Sequence, residues 1–324
     1  MMKAQYWTKI WKLPSCSSDN SDCDSSMDCR YLDCREFNLL AHKLDSLSFF
    51  HLNINSLSKH FDNLLTLCND LKSQFKIIAL TETRLTSLNK SLNNFSFSEY
   101  SFLSNDSEAA AGGTALFINN SINYKVRMDF SNFFYLSRQL ESTFVEIIQA
   151  QRSNIIVGCI YKHPGLSTSI FNTIFKFLAP LLDKINREKK DVVLLGDFNI
   201  NLLHHDSNTV LRSFVDILDS NFILPTINIP TRITNNTKTL IDNILVSASL
   251  KGHSGNLTVG ISDHLPQFFI CQEVAWGHST KTRGSYKDWK NFNIDRFSQS
   301  FREINWKETL QLKMSDPSVS FEIL

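Results

Sequence analysis

The stretch Asp191-Val-Val-Leu-Leu-Gly-Asp-Phe-Asn-Ile-Asn-Leu-Leu203 decides how the chain folds. Asp191 to Leu195 has a charged entry followed by four apolar residues, two of them β-branched, the pattern of a buried strand. Gly196 ends the apolar run and is expected to let the backbone turn. Asp197 and Asn199 follow two residues apart, so an extended backbone puts both on one face beyond the strand end. A carboxylate and a carboxamide at the carboxyl end of a buried strand suit phosphate or metal handling. The same four residues, Gly196 to Asn199, also read as an Asx-rich turn. Their neighbours in the chain separate the two readings.

Upstream, Ile170, Phe171, Ile174, Phe175, Leu178, Leu181, Leu182 and Ile185 form one apolar helical stripe, and a further helix is expected over Val210 to Leu218. At the amino-terminal end, Ser48 to Asn55 alternates, with Phe49, His51, Asn53 and Asn55 on one side and Phe50, Leu52 and Ile54 on the other. Ser56 or Ser58 can cap a helix carrying Leu57, Phe61, Leu64, Leu65, Cys68, Leu71 and Phe75. Lys76 to Glu82 is a second buried strand. This β-α-β unit delivers Asn53 and Glu82 to neighbouring strand ends. Short strands then follow over 95–103, 114–118, 123–126, 143–149 and 154–161, with antiparallel pairing because their connections are too short for crossover helices. Residues 225–239 form a Pro- and Thr-rich loop, and strands are expected at 240–246, 256–261 and 267–271. The fold class is α/β of the α+β type: a four-layer sandwich of two packed mixed sheets with helices outside.

The length of 324 residues gives room for one large domain with a sizeable core. With Lys+Arg 33 against Asp+Glu 32, no global field draws in nucleic acid, and any such binding must come from a local basic surface. Cys68, Cys159 and Cys271 fall in apolar segments as free thiols, pointing to a reducing compartment. Cys16, Cys23, Cys29 and Cys34 have no zinc-knuckle spacing. No run is long enough to span a membrane. Three parts are expected: a poorly ordered Cys/Ser/Asp-rich leader over 1–46, the folded domain over 47–272, and a linker-like, partly helical tail over 273–324.

Asn53, Glu82, Tyr161, Asp197, Asn199, Asp242, Asp263 and His264 all fall at or just past strand ends, in this order. Their motifs are Leu-Asn-Ile-Asn at 52–55, Thr-Glu-Thr at 81–83, Tyr-Lys-His-Pro at 161–164, Gly-Asp-Phe-Asn at 196–199, Ile-Asp-Asn-Ile at 241–244 and Ser-Asp-His at 262–264. In these the chain resembles the endonuclease/exonuclease/phosphatase superfamily, the DNase I-like fold, over about residues 47–272. Within it, His51 to Leu57, Thr81 to Arg84, Gly112 to Leu116, Ile160 to Pro164, Pro230 to Arg232, Thr239 to Ile244 and Ile261 to Pro266 look most like the endonuclease of non-LTR (LINE-type) retrotransposons. Asn55 and Ser56 depart from the superfamily pattern, which more often has Asp and Gly there.

The resemblance implies Mg²⁺-dependent phosphodiester hydrolysis, with Mn²⁺ able to replace Mg²⁺. Glu82, Asn53 and, more weakly, Asp263 are the metal candidates. Asp197 would position or deprotonate the attacking water, and Asn199 and Tyr161 would stabilise the non-bridging oxygens. Asp242 would orient His264 and favour its cationic form. Whether Asp197 or His264 is the base, and whether one metal or two act, stays open. Arg84, Lys162, Arg232 and Lys238 are candidate DNA contacts. The expected partner is double-stranded DNA, with no membrane, in the nucleus or, as the alternative, the cytoplasm. No Asp-Asp polymerase motif is present, so a reverse transcriptase and element RNA would be partners only in a full-length element, of which this chain reads as a truncated product. The alternatives are a repair-type abasic nuclease or a phosphatase of the same fold, and an inactive remnant or DNA-binding module.

Overall fold

Strands that are apolar on both faces need cover on both. The structure, a computed structural model, meets this demand with two stacked sheets. It describes residues 29–41, 46–72, 74–86, 95–107, 111–150, 152–165, 168–203, 209–275, 298–299 and 302–303. One compact unit spans Met1–Ser279 and another Thr280–Leu324; in the second, the four described residues are helical.

The first sheet contains β1 (Cys29–Leu32), β2 (Ser46–Asn53), β3 (Ile77–Thr81), β4 (Tyr100–Asn105), β5 (Thr114–Asn119), β14 (Gly252–Leu257) and β15 (Gln267–Ala275). Its order is β1-β14-β15-β2-β3-β5-β4. The second contains β6 (Tyr124–Val126), β7 (Leu140–Ile147), β8 (Ile155–Lys162), β9 (Asp191–Asp197), β10 (Ile223–Pro225) and β13 (Asp242–Ser247). Its order is β10-β13-β9-β8-β7-β6. Three apolar cores give the layering. Between the sheets, Phe49, Ile77, Leu116 and Phe269 of the first meet Val157, Cys159, Val193, Leu195 and Ile244 of the second. On the outer face of the first, Phe50, Leu52, Ile78 and Phe117 pack with helices α1 (Cys34–Ala41) and α2 (Leu57–Asp70). On the outer face of the second, Phe144, Ile160 and Leu194 pack with α3 (Met128–Phe133), α4 (Thr168–Arg187) and α5 (Thr209–Ser220). Burying each such side chain is worth about 1.5–3 kcal/mol. A one-residue slip would turn a whole face outward, so this pattern locks the register.

The expected four-layer sandwich is therefore present, with several local differences. The folded domain starts earlier than expected: β1 pairs with β14, and Leu32, Phe37 and Ala41 are buried. The polar Ser/Asp tract just before masks this short amphipathic unit in the sequence. Cys29 and Cys34 are free thiols, while Cys16 and Cys23 lie outside the described residues. The expected strand at 256–261 is shifted to Gly252–Leu257. Glycines usually signal a break, but here the missing side chain is needed: a Cβ on Gly255 would stand 2.3 Å from the Arg30 carbonyl of β1. Residues 225–239 are not wholly loop, since β11 (Arg232–Ile233) and β12 (Lys238–Thr239) form a small hairpin. Ser56 is the N-cap of α2, but its side chain accepts no capping hydrogen bond.

Candidate active site

Register brings the site together. On the second sheet, Asp197 pairs with Tyr161 of β8 on one side and with Asp242 of β13 on the other. Tyr161, Asp197 and Asp242 thus form one row across three strands. On the first sheet, parallel pairing sets Asn53 beside Thr81, with Glu82 next in the chain. Asn53 bridges the two sheets: its Nδ2 donates to Glu82 Oε1 and to Asp197 Oδ2, both at 2.9 Å.

Gly196 does not end its strand. β9 runs through Asp197, and a Cβ on Gly196 would fall 1.9 Å from the Ile160 carbonyl, so the residue is there for close strand approach. The chain turns at Asn199, with φ +45°, and its amide donates to Asp197 Oδ1 at 2.9 Å. The Asx turn is present, and it leaves Asp197 in the row with Tyr161 and Asp242. Asn199 Nδ2 donates to the Lys162 carbonyl at 2.7 Å. Asn55, Ser56, Glu82 and Arg84 also have positive φ. Such strain in non-glycine residues clusters where the surroundings impose it.

Two acidic side chains lie side by side in a buried row, which ordinary packing avoids. Burial, then the Asp242 charge, pushes Asp197 up to about 8. Burial would raise Asp242 as well, but the His264 charge and hydrogen bond hold it below the usual carboxylate range. His264 Nδ1 stands 2.8 Å from Asp242 Oδ2, and although burial opposes the imidazolium, Asp242 raises it to about 9. The Tyr161 hydroxyl is raised by burial and by the charges of Glu82 and Asp197. Among the described residues, ligand atoms of Asp197, Asp242 and His264 lie within 4.8 Å of one another. Two carboxylates thus meet beside His264, and Asn53 links them to the Glu82 carboxylate, an oxygen-rich set that suits a hard divalent ion.

Seven of the expected site residues share this centre: Asn53, Glu82, Tyr161, Asp197, Asn199, Asp242 and His264. Asp263 does not belong to it. It is half-exposed and paired with Arg232 at 2.6 Å. Lys162 is not a surface contact either: it is 2% exposed, its Nζ donates to the His163 carbonyl at 3.1 Å, and burial lowers it to about 8. Arg84 stands at the rim, 3.4 Å from Glu82, and Lys238 is exposed on β12. Several supporting residues had no expected role. Thr231 Oγ1 donates to Asp242 Oδ2 at 2.6 Å, and the Ser262 hydroxyl donates to the Asn53 carbonyl at 2.6 Å. Beneath them, buried His51 spans Gln267 and Thr81, with burial lowering its pKa. The only sequence signal for these was polar residues inside apolar motifs.

Residues 50–264 match the Endonuclease/Exonuclease/phosphatase family. The chain belongs to that family. Endonuclease/exonuclease/phosphatase proteins are hydrolases of nuclease and phosphatase type, generally dependent on a divalent metal. The AP endonuclease LMAP from Leishmania major has the same fold, with a TM-score of 0.55, 14% identity and coverage of 70% of this chain and 88% of that one. The APE2 catalytic domain of Xenopus laevis gives 0.52, 17%, 72% and 94%. The endonuclease domain of TRAS1, a telomere-specific non-LTR retrotransposon, gives 0.51, 10%, 70% and 98%. At these identities the likeness extends to the fold alone. No curated protein sequence matches the chain.

Proposed function

We propose that this family member is a Mg²⁺-dependent DNA endonuclease, with Mn²⁺ as a substitute, that nicks one strand of duplex DNA and leaves a 3′ hydroxyl able to prime reverse transcription. The observation that carries the hydrolytic reading is the Tyr161–Asp197–Asp242 row facing Asn53 and Glu82 across the two sheets. Glu82, with Asn53, would hold the ion. A protonated His264 has no lone pair to spare for a metal. When bound, the ion offsets negative charge growing on the phosphate oxygens. Asp197, whose raised pKa makes it a better base, takes the proton of the attacking water. The His264 imidazolium, steered by Asp242, and the Tyr161 hydroxyl stabilise the phosphate oxygens, assisted by Asn199. Arg84 and Arg232 stand at the rim for backbone phosphates.

The retrotransposon subclass is supported by the LINE-like motifs from His51 to Pro266. It implies chromosomal DNA in the nucleus as the substrate, and a reverse transcriptase and element RNA as partners in a full-length element. The test is relaxation of supercoiled plasmid with Mg²⁺ by wild type, Asp197→Ala and His264→Ala. Nicking by wild type alone supports the reading; an inert wild type, or equally active variants, ends it. Duplexes with an abasic site, and inositol phosphates, run in parallel, would move the assignment to a repair enzyme or a phosphatase if cleaved faster.

A further inference from the structure

Glu141 is a buried carboxylate that the proposed chemistry leaves unused. It lies on β7 opposite Tyr161, with its side chain 3% exposed. Among the described residues no lysine or arginine pairs with it, and hydrogen-bond donors meet its oxygens instead. The Gly113 amide donates to Oε2. The Ser107 hydroxyl reaches Oε1 at 2.9 Å and the Ala111 carbonyl at 2.6 Å, sharing one proton between them. His163 Nε2 stands 3.3 Å from Oε1, out of line for a hydrogen bond, and its ring packs on Tyr161 at 4.7 Å between centroids.

Gly112 and Gly113 have φ +94° and +89°, and a Cβ on Gly112 would come within 2.6 Å of Glu141 Oε2, so the turn closes on the carboxylate only because both are glycine. Its carbonyls face the other way. Gly112 accepts from the Arg84 amide at 2.8 Å and Gly113 from the Thr83 amide at 3.3 Å. Between these strand-like ties and Asn53 sits Glu82, at φ +50°, a conformation that a non-glycine residue keeps only when it is held there.

We propose that Glu141 is a positioning residue for Glu82: it seats the Gly112–Gly113 turn, and through the backbone of Thr83 and Arg84 that turn fixes the Glu82 carboxylate toward the metal. This rests on the reading of Glu82 as the metal-holding residue. Gln at 141 keeps the shape but swaps one acceptor oxygen for a donor that faces the Gly113 amide or the Ser107 hydroxyl.

The experiment is Mn²⁺ binding to the full chain without DNA, followed by electron paramagnetic resonance of the free ion, for wild type, Glu82→Gln and Glu141→Gln. Glu141→Gln is expected to raise the Kd roughly tenfold or more, the range for supporting residues around a metal. Amide exchange at Thr83 and Arg84 should quicken while the sheet core keeps its protection. Wild-type affinity in Glu141→Gln, with Glu82→Gln impaired, overturns this inference alone. Equal binding by wild type and Glu82→Gln overturns the metal reading of Glu82 and this inference with it. Lost affinity with Thr83 and Arg84 still protected overturns the route through the turn. Should Glu141→Gln melt below the assay temperature, Ser107→Ala replaces it, with a rise of roughly fivefold expected for one hydrogen bond; an unchanged Kd there overturns the inference.

Discussion

His264 Nδ1 and Asp242 Oδ2 are 2.8 Å apart, yet they come from different sheets: Asp242 opens β13 of the second, and His264 lies in the turn before β15 of the first. The pair therefore closes the sandwich at the same point where it charges the imidazole. Removing one partner strands a buried charge on the other.

Asp242→Asn is expected to lower the nicking rate by about 10²–10⁴-fold, the usual worth of a positioned acid or base. Single-turnover rates on plasmid at saturating Mg²⁺ measure it. A loss below tenfold would mean that His264 keeps its function without its carboxylate.

The pH profile of nicking should be a bell. Asp197, pushed up to about 8, must lose its proton to act as a base, and bound metal would shift this acid limb lower. His264, raised to about 9, must keep its proton, so the rate falls above that value. The limbs report the coupled set rather than single residues. In Asp242→Asn the alkaline limb should move down in pH, because the charge that raises the imidazole is gone.

Stability of the metal-free protein should fall as pH rises from about 6.5 to 8. Asp197 and His264 have folded pKa values above their unfolded ones, so the native state binds more protons in this window, and above about 8 the lowered Lys162 works against His264. The His264 contribution is complete below about 6.5 and is lost as pH passes through about 9. Melting curves in chelator should show this decline, and His264→Gln should flatten it.

Arg127 tests stability away from the site. It is 8% exposed and bonds Asp129, Glu146 and Glu188, with Glu146 fully buried. In Arg127→Ala, Glu146 keeps Lys190, Lys125 and Asn154, so the expected cost is about 1.5–3 kcal/mol, that of a lost charged hydrogen bond. Chemical denaturation measures this, while the nicking rate of the folded fraction at low temperature should match wild type.

Gly196→Ala places a methyl group against the backbone carbonyl of Ile160, which no side-chain rotation can relieve. The expected cost is about 1–3 kcal/mol or more. A folded variant with full activity and an unchanged melting temperature would show that β8 and β9 can separate there.

The sequence by itself determined the strands and helices that carry strong periodicity, their layering, and the seven site residues that share the centre, because apolar pattern sets which face is buried and strand ends set where polar residues gather. Lys162 is buried and Asp263 pairs with Arg232, because spacing along the chain does not say which side of the backbone meets the site. β1 and α1 were missed because four- and eight-residue elements carry too little pattern beside a polar tract. Only the tertiary structure decided that Asp197 and Asp242 are neighbours, that Asn53 joins Glu82 to Asp197, that Thr231 supports Asp242 and that Glu141 meets the Gly113 amide. Those relations come from register and from the meeting of two sheets, and both depend on contacts between residues far apart in the chain.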